Sequence, residues 1–123
     1  VLVDAGFQTL ARPMLYGADH RIEPLADRDG PNRPQVVAGP LCEAGDVLTQ
    51  DEEGEPRPVE LPELVPGELL VVRDVGAYGL SMASNYNGFP LPPEVLFEGG
   101  VPRLVRRRQT LDDLLAPERG LAP

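Results

Sequence analysis

The chain has 123 residues, a hydrophobic fraction of 41% and a formal net charge of −9. That length allows one small domain with a real core, and the acidic balance excludes the basic footprint that nucleic-acid binding requires. All 11 basic residues are arginine, which excludes a Schiff-base lysine, a phosphate-loop lysine and a lysine general base.

In chain order, Val1–Val3 reads as a short buried strand ending in the turn residues Asp4-Ala5-Gly6. The chain opens without Met or a basic leader, as if this strand continued from upstream sequence. Leu10, Met14 and Leu15 have helical spacing, and Pro13 limits the segment Thr9–Tyr16 to a turn or short helix. The charged, proline-bearing stretch Glu23–Pro34 is expected as a surface loop. Strands are expected at Gln35–Ala38, Asp46–Thr49, Val59–Leu61 and, most clearly, Leu69–Arg73 after the Pro66-Gly67 turn. Asp51–Pro58 is acidic and lacks an apolar anchor, which suggests an exposed, mobile hairpin or loop.

Gly76–Gly88 is rich in Gly, Ser, Asn and Tyr and reads as a functional loop. Glu94–Phe97 and Leu104–Arg107 flank Gly99-Gly100 as the strands of a hairpin. Thr110 is placed to cap a short helix with Asp113 at the capping-box position, ending by Pro117. Many short strands, frequent turns and two short helices define a mostly-β domain, a sandwich or small barrel. No internal repeat is present, and no apolar run approaches the roughly 20 residues of a membrane span.

The chemistry available is narrow. One cysteine, Cys42, excludes a disulfide within the chain and suits a reducing compartment. One Cys and one His cannot build a structural zinc site. There is no glycine-rich phosphate loop, and His20 lies in no nucleophile context. The basic run Arg106–Arg108 is expected to be a solvated face.

What remains is polar residues in or near turns. Arg12 and Tyr16, four apart, share a helical face and pair a forked guanidinium with a phenol, which suits a carboxylate; equally, the helix could simply pin a loop. Cys42-Glu43 lies between Gly39-Pro40 and Gly45. A thiol, with an ordinary pKa near ~8.5, can exchange a proton near neutrality, and a carboxylate beside it can hold an ammonium group. The alternative is a structural Cys beside a solvated Glu. Tyr78 stands between Gly76 and Gly79, where the backbone can approach a ligand, or where the ring is an aromatic plug.

Five linked stretches carry a family resemblance: Val3-Asp4-Ala5-Gly6, Arg12 to His20, Gly39 to Asp46, Asp74 to Gly79 and Met82 to Asn87. With the tail Arg103–Leu115, they make the chain resemble the diaminopimelate decarboxylases, within the pyridoxal-phosphate-dependent ornithine/diaminopimelate decarboxylase family of alanine-racemase-like fold. Cys42-Glu43-Ala44-Gly45-Asp46 is close to the diaminopimelate form, whereas ornithine decarboxylases usually carry Cys-Asp there. The resemblance implies that residues 1–123 are a C-terminal substrate-binding and dimerisation β-domain, lacking the N-terminal (β/α)8 barrel and its cofactor-bearing lysine.

It further implies roles. Arg12 and Tyr16 would bind the distal carboxylate of a diamino acid substrate, and Glu43 its distal ammonium. Cys42 would return a proton to Cα after CO2 leaves, and Tyr78 would touch both substrate and cofactor. The active form would be a cytoplasmic homodimer with shared sites. It would have no nucleic-acid, membrane or metal partner, and the 123 residues alone would be inactive. Asp19 departs from the family pattern, which often has an aromatic residue before the motif His, and the loop between Arg21 and Gln35 is idiosyncratic. Carboxynorspermidine as substrate, or a non-catalytic dimerisation or regulatory module, remain the alternatives.

Overall fold

A computed structural model describes residues 1–121; the last two positions of the span expected as one domain lie outside it. The chain is mostly β with short helices, the class expected from sequence. It divides into two compact units, the first running from Val1 to Ala83 and the second beginning at Ser84. Among the described residues no helix is long and apolar enough to cross a membrane.

The first unit holds α1 (Arg12–Tyr16), β1 (Ile22–Pro24), β2 (Asn32–Gln35), β3 (Val59–Pro62) and β4 (Leu70–Val72). β1 pairs antiparallel with β4, Ile22 facing Val72, and β2 pairs antiparallel with β3, Gln35 facing Val59. Leu10, Ile22, Val37, Leu48 and Leu61 form the core, with Val3, Val59, Leu64, Leu70, Val72 and Val75 packed against it. These residues come from every part of the unit, so its stability rests on non-local burial rather than on any one element.

Several expected elements shift. Val1–Val3, Gln35–Ala38 and Asp46–Thr49 do not form full strands. They meet in single bridges, Leu2 parallel to Ala38 and Ala38 antiparallel to Val47. Ala38 is paired on both sides, and Gly39-Pro40 then turns the chain away; Pro40 has no N–H with which to extend either ladder. The expected surface loop Glu23–Pro34 is instead β1 at its start and β2 at its end, with the exposed connection between them. Pro24 closes a strand, and Pro34 sits within one. The side-chain amide of Gln35 donates to the Leu61 and Pro62 carbonyls, at 2.9 and 2.8 Å, adding to that pairing. The turn at Asp51 is held: its carboxylate accepts the Glu53 and Glu55 N–H groups, at 3.1 and 2.8 Å.

The second unit holds β5 (Glu94–Glu98), β6 (Val101–Arg106) and α2 (Leu111–Leu115). β5 and β6 pair as the expected hairpin, and Gly99 and Gly100 both take the positive φ that its two-residue turn demands. Val95 and Phe97 lie on one face with their partners Leu104 and Pro102, and this face is exposed, Phe97 by 69% and Leu104 by 60%. The Gln109 side-chain oxygen accepts from both Asn85 (2.7 Å) and Leu91 N–H (3.0 Å), tying the unit's first loop to the segment that follows its last strand.

α2 carries the full capping box. Thr110 Oγ1 accepts from Asp113 N–H, and Asp113 Oδ2 accepts from Thr110 N–H at 2.7 Å. Arg107 grips the same carboxylate with both terminal nitrogens, at 2.6 and 2.8 Å. Together the Arg107 fork and the Thr110 donors hold the Asp113 carboxyl well below the ordinary carboxylate range. A depressed folded-state pKa stabilises above the unfolded value, near ~4, and that contribution is lost as pH falls toward the folded one. The Asp113 side-chain carbon shift, followed by NMR, is therefore expected to stay flat through pH ~4 and to move only in stronger acid. Thr110→Ala is expected to bring the midpoint back up.

Candidate functional site

α1 begins where Pro13, tolerated in a first turn, is buried beneath it. It ends at Gly17, whose φ of 58° closes a left-handed cap with its N–H on the Pro13 carbonyl at 2.9 Å. A Cβ at Gly17 would sit 2.6 Å from Glu52 Cα, so the acidic turn packs directly against the end of this helix. One turn is enough to place Arg12 and Tyr16 on one face.

The Arg12 guanidinium carbon lies 5.7 Å from the Tyr16 ring centroid and 5.6 Å from that of Tyr78. Two tyrosines far apart in sequence thus contact one guanidinium, each within cation–π range. Arg12, Arg103 and Arg108 are the arginines without an ion pair among the described residues, and Arg12 is the one also held by rings. Ring contact fixes the plane of the fork while its N–H edge stays available for an anion. Tyr16 and Tyr78 are 61% and 62% exposed, so the cluster is an open face rather than a buried core contact.

Tyr78 occupies the left-handed region, with φ 60°. A bulky residue there is strained and is held by its surroundings. The next residue must be small, because a Cβ at Gly79 would overlap the Val75 carbonyl oxygen. The Gly-bearing loop evident in the sequence therefore serves to aim one aromatic ring at Arg12.

Cys42, exposed, and Glu43, half-buried, lie on the tight loop from Gly39 to Asp46. This loop adjoins α1: a Cβ at Gly45 would fall 2.7 Å from Met14 Cε. Glu43 Oε1 accepts the Gly45 N–H at 3.3 Å, and the Glu43 carbonyl accepts from Asp46 N–H at 3.1 Å. Asp46, which sequence presents as the end of the Cys42–Asp46 stretch and the start of a strand, is 4% exposed. Its Oδ1 accepts from Phe7 N–H at 2.6 Å and its Oδ2 from Leu41 N–H at 2.7 Å. The glycines at 6, 39 and 45 hint at a crowded backbone, but only the fold reveals that Asp46 is what crowds the first two.

The structure thus joins Arg12, Tyr16 and Tyr78 in one cluster and sets the Cys42-Glu43 loop against the same helix. His20 is buried and structural: its Nδ1 donates to the Arg73 carbonyl at 3.1 Å, tying the chain after α1 to the end of β4. Asp19, the departure from the family pattern, pairs with Arg57 at 2.6 Å, and this carboxylate raises the Arg57 pKa. In the basic run, Arg106 pairs with Glu94 and Arg107 with Asp113. Among the described residues no group of three His, Cys, Asp or Glu could hold a metal ion.

This open, lysine-free face lies on a sheet domain, and comparison with known proteins defines the class of that domain. The family model for the C-terminal sheet domain of pyridoxal-dependent decarboxylases matches residues 1–76, and the chain belongs to that family. Within it, the chain is 55% identical over 122 residues to the diaminopimelate decarboxylase of Streptomyces coelicolor, covering 96% of this chain and 28% of that one. A crystal structure of a diaminopimelate decarboxylase superposes with a TM-score of 0.94 at 54% identity, over 99% of this chain and 30% of the other. That of Helicobacter pylori diaminopimelate decarboxylase complexed with L-lysine superposes at 0.84, with 40% identity, over 98% of this chain and 28% of the other. The chain therefore spans less than a third of the length of these relatives.

Proposed function

We propose that this chain is the C-terminal part of a diaminopimelate decarboxylase, which converts meso-2,6-diaminopimelate to L-lysine and CO2 when joined to a cofactor-binding barrel. The observation that carries the reading is Arg12, without an ion pair among the described residues and in contact with the Tyr16 and Tyr78 rings on an exposed face. A diamino acid with a second carboxylate needs such a fork, and simpler diamines do not.

The residues present fit part of a pyridoxal phosphate site. An exposed tyrosine on a glycine-flanked loop can lie against a flat cofactor. The lysine that carries the cofactor must come from outside this chain, which has none. When bound, the cofactor supplies the electron sink for the carbon that loses CO2.

The chain's own residues then divide the remaining work. Arg12 and Tyr16 hold the distal carboxylate, and Glu43 holds the distal ammonium, which together fix the substrate's length and orientation. Tyr78 touches substrate and cofactor. Cys42 delivers a proton from Sγ to the carbon left by CO2, a general-acid role. A face this open does not exclude water by itself, and desolvation sharpens every one of these interactions. The reading therefore includes a barrel and a second subunit as the missing walls, in a cytoplasmic homodimer, with Cys42 and Glu43 reaching into the partner's site.

The test is direct. The full-length protein, supplied with pyridoxal phosphate, is expected to release CO2 and L-lysine from meso-diaminopimelate, and the 123-residue chain alone is expected to release neither. Turnover of carboxynorspermidine with none of diaminopimelate, or no decarboxylation by the full-length protein, would overturn it.

A further inference from the structure

We infer that Asp46 is the positioning residue of the loop that carries Cys42 and Glu43, an inference that rests on the roles proposed for those two side chains. Three hydrogen bonds within the Gly39–Asp46 loop run through this residue. The Asp46 carbonyl accepts from Gly39 N–H at 2.8 Å, and its own N–H donates to the Glu43 carbonyl at 3.1 Å. Its carboxylate reaches to both sides, taking Leu41 N–H within the loop and Phe7 N–H from a segment 39 positions upstream. Cys42 and Glu43 are thus suspended between two residues, Leu41 and Asp46, that the carboxylate ties to each other and to the body of the unit.

Two glycines build the space it occupies. A Cβ at either Gly6 or Gly39 would overlap the Asp46 carboxylate oxygens. A buried carboxylate is costly to desolvate, and its place here is explained by the donors that converge on it. The pair of acceptor oxygens suits the geometry as well. Two backbone N–H groups point at two different oxygens, and a carboxylate supplies two acceptors where an asparagine supplies one. Asn at this position has nearly the same shape, yet turns one N–H of its amide toward a backbone N–H. The loop must then move on one side, and Cys42 and Glu43 with it.

The experiment uses the full-length enzyme with pyridoxal phosphate. Asp46→Asn is expected to lower kcat about tenfold or more, since displacing a reacting group by about 1 Å can cost up to a hundredfold. It is also expected to change the rate of Cys42 alkylation by iodoacetamide at least about threefold, because thiol reactivity follows its surroundings. Gly39→Ala, which crowds the carboxylate from the other direction, is expected to reproduce both effects and decides the question if Asp46→Asn is insoluble. A purely structural carboxylate would lower the melting temperature while leaving kcat per folded site and alkylation at wild-type values, and that result overturns the inference. Cys42→Ala is assayed alongside. Full activity in Cys42→Ala sinks the underlying role of the thiol. Lost activity there, with wild-type kcat and alkylation in the Asp46 and Gly39 variants, sinks the positioning role alone.

Discussion

Cys42→Ala in the full-length enzyme is expected to lower kcat by about 10²- to 10⁴-fold, the range that a positioned general acid contributes, with KM for diaminopimelate nearly unchanged. The side chain is exposed on its loop and supports no core packing, so the melting temperature is expected to hold. That combination separates lost proton delivery from lost structure. Cys42→Ser is expected to be almost as slow, because a hydroxyl gives up its proton far less readily than a thiol near neutral pH. Steady-state kinetics beside a thermal melt checks the pair. A Cys42→Ala enzyme with nearly wild-type kcat would remove the thiol from the reaction.

The second large effect is expected at Arg12, and it is expected in substrate choice. If Arg12 takes its proposed role, Arg12→Ala is expected to leave the distal carboxylate of diaminopimelate without its charged partner, a loss of about 2–5 kcal/mol when such a pair is desolvated, or roughly 10²-fold or more in kcat/KM. Arg12→Lys keeps the charge but not the planar fork that meets Tyr16 and Tyr78, so it is expected to restore less than about a tenth of the lost efficiency. L-Lysine as substrate lacks that carboxylate. Any turnover of L-lysine measured alongside is expected to be unaffected by either change, so discrimination between the two compounds narrows. Equal losses on both substrates would mean that Arg12 holds the loop of Tyr78 in place and does not read the carboxylate.

Local signals and long-range ones differ in what they reveal. The β5–β6 hairpin, its Gly99-Gly100 turn and the Thr110–Asp113 capping box are legible in the sequence because each is defined within a few residues. α1 is legible for the same reason, and with it the shared face of Arg12 and Tyr16. The strands around Ala38 depart from expectation because their pairing depends on Leu2 and Val47, and local pattern carries no information about which segment will lie alongside. Tyr78 illustrates the middle case. Its glycine neighbours mark a turn, but only the tertiary fold brings its ring to a guanidinium near the start of the chain. The role of Asp46 cannot be seen from local pattern at all. An aspartate in a turn-rich segment looks solvated, and what buries it is a pair of glycines and an N–H from far upstream.

The β5–β6 hairpin also bears on how such a chain reaches its native state. With only Gly99 and Gly100 between its strands, it can close on local contacts within microseconds, ahead of the widely separated pairings that build the first unit. Val95, Phe97 and Leu104 then stand on the surface of an early, already ordered ribbon. Such a ribbon is adhesive toward other copies, and dilution or a chaperone favours productive folding over association.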